Sequence, residues 1–244
     1  MKIVKAMLLI LSLLALPQYV GATASDFNAT TSIVTITQQV AINSNVFTFG
    51  CWTYREGSGE GTIGRIVDKR AVGGWTVYVG DANTNYSFDA DWSTTDGDWD
   101  IALPALNTWV HFAVSYDFGA TTNDPTFYFD GVEQTETEDA TPVGTEANGA
   151  DDLTIGNLAA ATRTWDGKLA DCFFYNRILT ANEIKQIMRF GATSLDNGLI
   201  GYWPLGAFTG FNYTSTTGLD GTPTALTVSN IGPPVNKPQV GLMP

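Results

Sequence analysis

The chain concentrates acidic side chains in one run, Asp89-Ala-Asp91-Trp92-Ser-Thr-Thr-Asp96-Gly97-Asp98-Trp99-Asp100. Aspartates alternating around a glycine can wrap a hard cation in oxygen ligands, and calcium tolerates irregular loops. Asp96, Asp98 and Asp100 are therefore candidate calcium ligands. The run has no bidentate glutamate at the EF-hand distance, so it is not that module, and a plain polar loop is the competing reading. Aromatic rings crowd the same region: Trp75, Tyr78, Tyr86, Trp92 and Trp99, mostly beside Gly, Asn, Asp and Thr. Sugars present C–H faces that stack on such rings, while neighbouring carboxylates and amides take their hydroxyls. Trp75, Tyr78, Trp92 and Trp99 are the candidate ligand-binding residues. Trp75 and Tyr78 also read as core-facing strand residues; Trp92 and Trp99, in the acidic run, are the rings expected to be exposed.

Other chemistry is weaker. His111 is the single histidine, in Thr108-Trp-Val-His-Phe-Ala-Val-Ser-Tyr-Asp117. Strand alternation sets it on the face opposite Val110 and Phe112. A nucleophile triad needs a histidine with an orienting partner, and a mid-strand position favours a structural role. A retaining glycan hydrolase needs two carboxylates about 5 Å apart on one face. Glu136 and Glu138 share a face, but threonines alternate with them and no apolar wall flanks them. That stretch reads as a solvated hairpin. Cys51 and Cys172 are the two cysteines. They read either as a disulfide or as two buried thiols, and with one histidine they cannot build a zinc site.

The elements that must position these residues are short β-rich runs separated by Gly, Asn, Asp and Thr clusters. Strands are predicted at Phe27–Ile36, Val46–Arg55, Arg65–Asp68, Trp75–Val79, Tyr86–Ala90, Val110–Tyr116, Thr126–Phe129, Leu153–Ile155, Lys168–Tyr175 and Leu199–Trp203. Gly221–Val228 is a possible edge strand. Such spacing with almost no helical period argues an antiparallel sandwich. One helix is expected at Ala181–Arg189. Thr180 and Glu183 form a capping box, Ile184, Ile187 and Met188 give the apolar stripe, and Gly191 is the stop.

The chain opens with Lys2 and Lys5 before Ala-Met-Leu-Leu-Ile-Leu-Ser-Leu-Leu-Ala-Leu and small-residue cleavage sites at Ala22 or Ala24. This is the pattern of a secretion signal, shorter than the about 20 apolar residues of a spanning helix. Removing Lys2 and Lys5 from the 12 basic residues leaves ten against 25 acidic ones, a balance of −15. That sign argues against nucleic acid or anionic membrane as partner. Asn28, Asn85 and Asn212 fit the glycosylation acceptor pattern.

Thr164-Trp-Asp-Gly-Lys-Leu-Ala-Asp171, the aromatic run after it, and Tyr175-Asn-Arg-Ile-Leu-Thr-Ala-Asn-Glu-Ile184 resemble the closing strand and helix of laminin G-like, concanavalin A-like lectin-glucanase jelly rolls. Asp26–Ile36, Phe47–Tyr54, Thr108–Asp117, Phe127–Gly131 and Leu153–Asn157 follow in family order. The resemblance spans about Ser25 to Trp203 and implies an all-β fold. It does not imply one function, because lectins, glycanases and adhesion modules share this sandwich. Glucanase-like members carry alternating acids on one strand, a pattern from which Glu136 and Glu138 depart. The resemblance also implies a structural calcium at Asp171, matched by motif, and at Asp26, matched by position alone.

The expectation is thus an antiparallel concanavalin A-like jelly-roll sandwich over residues 25–206, between a secretion signal at 1–22 and a C-terminal extension at 207–244. Its expected role is non-enzymatic recognition of a glycan or an extracellular protein, in secreted or cell-surface form. A structural or adhesive subunit and a divergent glycan hydrolase are the alternatives. The candidate calcium ligands are Asp26, Asp96, Asp98, Asp100 and Asp171, and Cys51 with Cys172 the candidate disulfide.

Overall fold

The computed structural model describes residues 23–71, 73–80, 83–206 and 218–234. The secretion signal and the Asn212 acceptor lie outside them. The strands run β1 (Ala24–Asn28), β2 (Ile33–Ile36), β3 (Val46–Arg55), β4 (Arg65–Lys69), β5 (Trp75–Val79) and β6 (Asn85–Ala90). They continue with β7 (Gly97–Ala102), β8 (Trp109–Asp117), β9 (Thr126–Phe129), β10 (Val132–Glu133), β11 (Thr137–Ala140) and β12 (Leu153–Ile155). The last are β13 (Asp166–Tyr175), β14 (Leu199–Trp203), β15 (Gly221–Thr224) and β16 (Thr227–Ser229), with helix α1 at Ala181–Phe190 before β14.

Two eight-stranded antiparallel sheets form the sandwich. The first has the order β10-β9-β8-β3-β13-β1-β16, with β14 also on β13; the second is β11-β7-β6-β5-β4-β12-β2-β15. This is the predicted fold class. Between the sheets lies an aromatic core in which Phe47 stacks on Trp75 at 4.4 Å and on Phe174 at 5.7 Å. Fully burying such side chains stabilises the fold by about 1.5–3 kcal/mol each.

The expected strand Phe27–Ile36 is two strands. The Asn28 Oδ1 accepts the backbone N–H groups of Thr30, Thr31 and Ser32, which turns the chain from the first sheet into the second. The tail segment closes the same edge, since β15 pairs with β2 and β16 pairs with β1. Cys51 on β3 and Cys172 on β13 are disulfide-bonded inside the core.

Helix α1 carries the predicted capping box: the Glu183 N–H donates to the Thr180 hydroxyl, and the Glu183 carboxylate accepts from the Thr180 N–H at 2.8 Å. Its buried Ile184 and Ile187 pack with Leu179 on Ala113, Phe173 and Tyr175, covering the outer face of the first sheet. It is the one helix longer than a single 3-10 turn among the described residues, and none is long and apolar enough to cross a membrane. The outer face of the second sheet has no described helix over it.

Candidate functional site

Alternation along the second sheet sends Trp75, Val77, Tyr86, Phe88, Trp99 and Ile101 into the core. The residues between them point outward and, because the strands are in register, line up in two cross-strand rows. One row reads Arg65, Tyr78, Ser87, Asp100, Thr137. The other reads Thr154, Asp68, Thr76, Asp89, Asp98, Ala140.

Much of this outward face is sealed although it is polar. Thr76 is 0% exposed, Ser87 3% and Asp68 7%. The Thr76 hydroxyl donates to the Val67 carbonyl at 3.0 Å, Ser87 donates to Asp100 at 2.6 Å, and the Tyr78 hydroxyl donates to Asp89 at 3.1 Å. The Arg65 guanidinium lies 4.1 Å from the Tyr78 ring centroid, with its Nε 3.6 Å from Asp68. Its Nε and Nη1 are enclosed and make no hydrogen bond. Burial lowers its pKa, against the pull of Asp68.

Beside Arg65 the face opens into a cleft of about 420 Å³, lined by Arg65, Asp68, Arg70, Ala71 and Leu158–Ala160. That volume falls in the range of small-ligand sites. One wall is a loop held by the fully buried Asn157. Its Nδ2 donates to Ser32 O at 3.2 Å and Thr164 Oγ1 at 2.6 Å, while its Oδ1 accepts from the N–H groups of Leu158 and Arg163, each at 2.9 Å. The short Ala159 and Ala160 side chains line the cleft together with Asp68.

Arg70 organises the carboxylates at the cleft's rim. Its guanidinium donates to Asp89, Asp91 and Asp96, the last at 2.9 Å. Asp98, Asp100 and Asp139 lie farther along the face and form no ion pair among the described residues. Burial, then repulsion from Asp89, Asp100 and Asp139, pushes the Asp98 carboxyl up to about 7. Burial and Asp139 raise Asp100 as well, against the Ser87 hydrogen bond.

Of the four predicted binding rings, only Tyr78 is on this face. Trp75 is fully buried in the core stack, which corrects its assignment as a ligand platform. Trp92 and Trp99 were expected to be exposed and are not. Trp92 is buried with its indole N–H on the Tyr116 hydroxyl at 3.3 Å, and Trp99 is 0% exposed with its N–H on Asp124 at 3.0 Å. The physical reason is that Gly97–Ala102 is a strand, not a loop, and its parity turns Trp99 inward.

The predicted calcium ligands do not converge either. Asp96 is turned to Arg70 and to the Trp92 N–H, Asp98 faces Asp89 on the neighbouring strand, and Asp100 accepts the Ser87 hydroxyl beside Asp139. Asp26 stands opposite Lys168, whose ammonium is 3.6 Å away. Asp171, at a bulge of β13, accepts the Tyr202 hydroxyl at 2.6 Å. Among the described residues no three His, Cys, Asp or Glu side chains are placed to hold a metal ion, and the guanidinium of Arg70 sits where a cation would meet the acidic run. These sets do not fit calcium.

Sequence reasoning missed Arg65, Asp68, Arg70 and the Leu158–Ala160 wall. The available signal was the polar parity of the β-rich runs, in which Thr76, Tyr78, Ser87 and Asp89 alternate with apolar residues. His111 is buried between Trp52 and Phe173, and burial pushes its pKa down to about 3, so it stays neutral as a structural residue. Glu138 is exposed on β11, but β11 pairs with β7 and not with β10, and Glu136 lies in the connection before it, so the expected hairpin does not form.

A family model described as the concanavalin A-like lectin/glucanases superfamily matches residues 28–185. The chain belongs to this superfamily. No curated protein sequence matches it. Among solved structures, a protein from Bacteroides ovatus ATCC 8483, described as a candidate carbohydrate-binding protein, is similar at 17% identity and a TM-score of 0.65. The likeness covers 88% of this chain and 62% of that one, so the chain spans less than two thirds of that relative. A heptameric SAP-like pentraxin from Limulus polyphemus is similar at 12% identity and a TM-score of 0.56, over 87% of this chain and 98% of that one. At these identities the likeness is one of fold.

Proposed function

We propose that this chain is a secreted, non-catalytic module that binds a glycan on the polar outer face of its second sheet, seated at the Arg65 cleft. The observation that carries this reading is the pair of polar cross-strand rows ending in a cleft lined by Arg65, Asp68 and Arg70. A cleft rimmed by convergent charged and hydroxyl side chains suits the hydroxyls of a sugar. The superfamily, which includes lectins, and the Bacteroides neighbour support it. Secretion is supported by the leader and by the buried disulfide, which persists in oxidising compartments.

The facing carboxyls of Asp89 and Asp98 favour a second reading, hydrolysis, because one is raised to about 7 beside the other. Against it, Asp89 is committed to Arg70 and Tyr78, and a carboxylate so engaged is a poor nucleophile. The test is a glycan array probed with the secreted chain, followed by titration of the best binder. Arg65→Ala and Tyr78→Ala should each weaken binding at least about tenfold, with circular dichroism unchanged. Glu136→Gln with Glu138→Gln should leave binding intact. Full affinity in both cleft variants would overturn the placement, and release of reducing ends from the bound glycan would establish the hydrolase.

A further inference from the structure

The face has a length and a charge, and together they narrow what it can hold. This inference rests on the binding face proposed above. From β4 through β5, β6 and β7 to β11 the two rows cross four strand intervals, roughly 19 Å at the ordinary sheet spacing. The cleft is confined to the β4 end of these rows, so an extended chain seated at Arg65 would run on over Tyr78 toward Asp98 and Asp100. The charge along this track is one-sided. Arg65 is matched by Asp68, and Arg70 by three carboxylates at once. Beyond them Asp98, Asp100 and Asp139 have no cation beside them among the described residues. Both guanidiniums are therefore spent before the far half of the track begins.

We infer that the face takes an extended, uncharged saccharide chain and turns away chains that carry carboxylates. Sugar hydroxyls can donate to Asp98 and Asp100 and accept from the outer side of Arg65, so an uncharged chain meets complementary groups at both ends. A ligand carboxylate laid over Asp98 and Asp100 would instead face like charge, most fully at about pH 8, where Asp98 is ionised.

The experiment uses the full secreted chain and an array of neutral and acidic polysaccharides. The neutral polysaccharide bound best is then oxidised at its primary hydroxyls to carboxylates, giving a charged partner on the same backbone. The expected result is that the oxidised form binds at least about tenfold more weakly. The gap should narrow in about 0.5 M salt, where screening is strong. It should also narrow in Asp98→Asn with Asp100→Asn and Asp139→Asn, whose folding is checked by its melting curve; the salt series stands if that variant does not fold. Equal or tighter binding of the oxidised form, or binding confined to acidic polysaccharides, overturns this inference while leaving the binding face in place. Binding to nothing on the array, or binding untouched by Arg65→Ala and Tyr78→Ala, overturns the face itself and the inference with it.

Discussion

Asp98 carries the clearest pH signature on the open face, since its carboxyl is raised to about 7 by burial and by Asp89, Asp100 and Asp139. A carboxyl raised in the folded state contributes stability that is complete below its unfolded value, near 3.9, and is lost as pH climbs through about 7. The protein should therefore lose roughly 1–2 kcal/mol between pH 5 and pH 8 from this group, after discounting for its half-open setting. Asp98→Asn should flatten that part of the profile and raise the melting temperature at pH 8 but not at pH 5. Parallel pH profiles for the two proteins would sink the assignment. Single residues also show where the sequence was silent. Arg70 meets Asp91, Asp89 and Asp96 from 21, 19 and 26 positions away, and no local spacing announces such a partner before the register is known.

At the level of elements, α1 was legible because everything that specifies it is local. Thr180, Glu183, Ile184, Ile187 and Gly191 sit within twelve positions and describe one capped helix. Thr180→Ala should cost about 1 kcal/mol and lower the melting temperature by about 2–4 °C. Thr180→Ser should restore most of the loss, and a scan in which all three proteins melt together would refute the cap's role. The strand β7 was illegible for the opposite reason. Gly97, Asp98 and Asp100 have low strand propensity, so the parity of Trp99 and Ile101 was outvoted by composition. That single misreading displaced both candidate sites, because it put Trp99 in solvent and drew the aspartates into a cation loop. The break at Asn28 was missed because an asparagine turn inside an apolar run looks like strand until its side-chain bonds are seen. The edge strands β10 and β11, which pair with β9 and β7 in different sheets, are short and mostly exposed, so no apolar pattern marks them.

For the molecule as a whole, the order of six family-like segments was enough to give the sandwich, since each strand's neighbours follow from that order. The pairing of Cys51 with Cys172 was not, because two strands far apart in sequence become neighbours only once the first sheet is assembled. The bond closes 121 residues, for which chain entropy gives about 4–5 kcal/mol. Replacing both cysteines by alanine should lower the melting temperature by about 10–15 °C, and an unchanged melting point would show that the reduced chain is held equally well by packing. The same bond also decides how the protein behaves under tension. β1 and β16 lie antiparallel with Ala24 opposite Ser229, so a pull applied through those two residues opens their ladder one bond at a time, as a zipper. The tension then passes to β13 and β3, where the sulfur bridge carries it across and shields everything between. Stretched in an optical trap, the oxidised protein should stop short, and reductant should release roughly 400 Å of further length from the shielded segment.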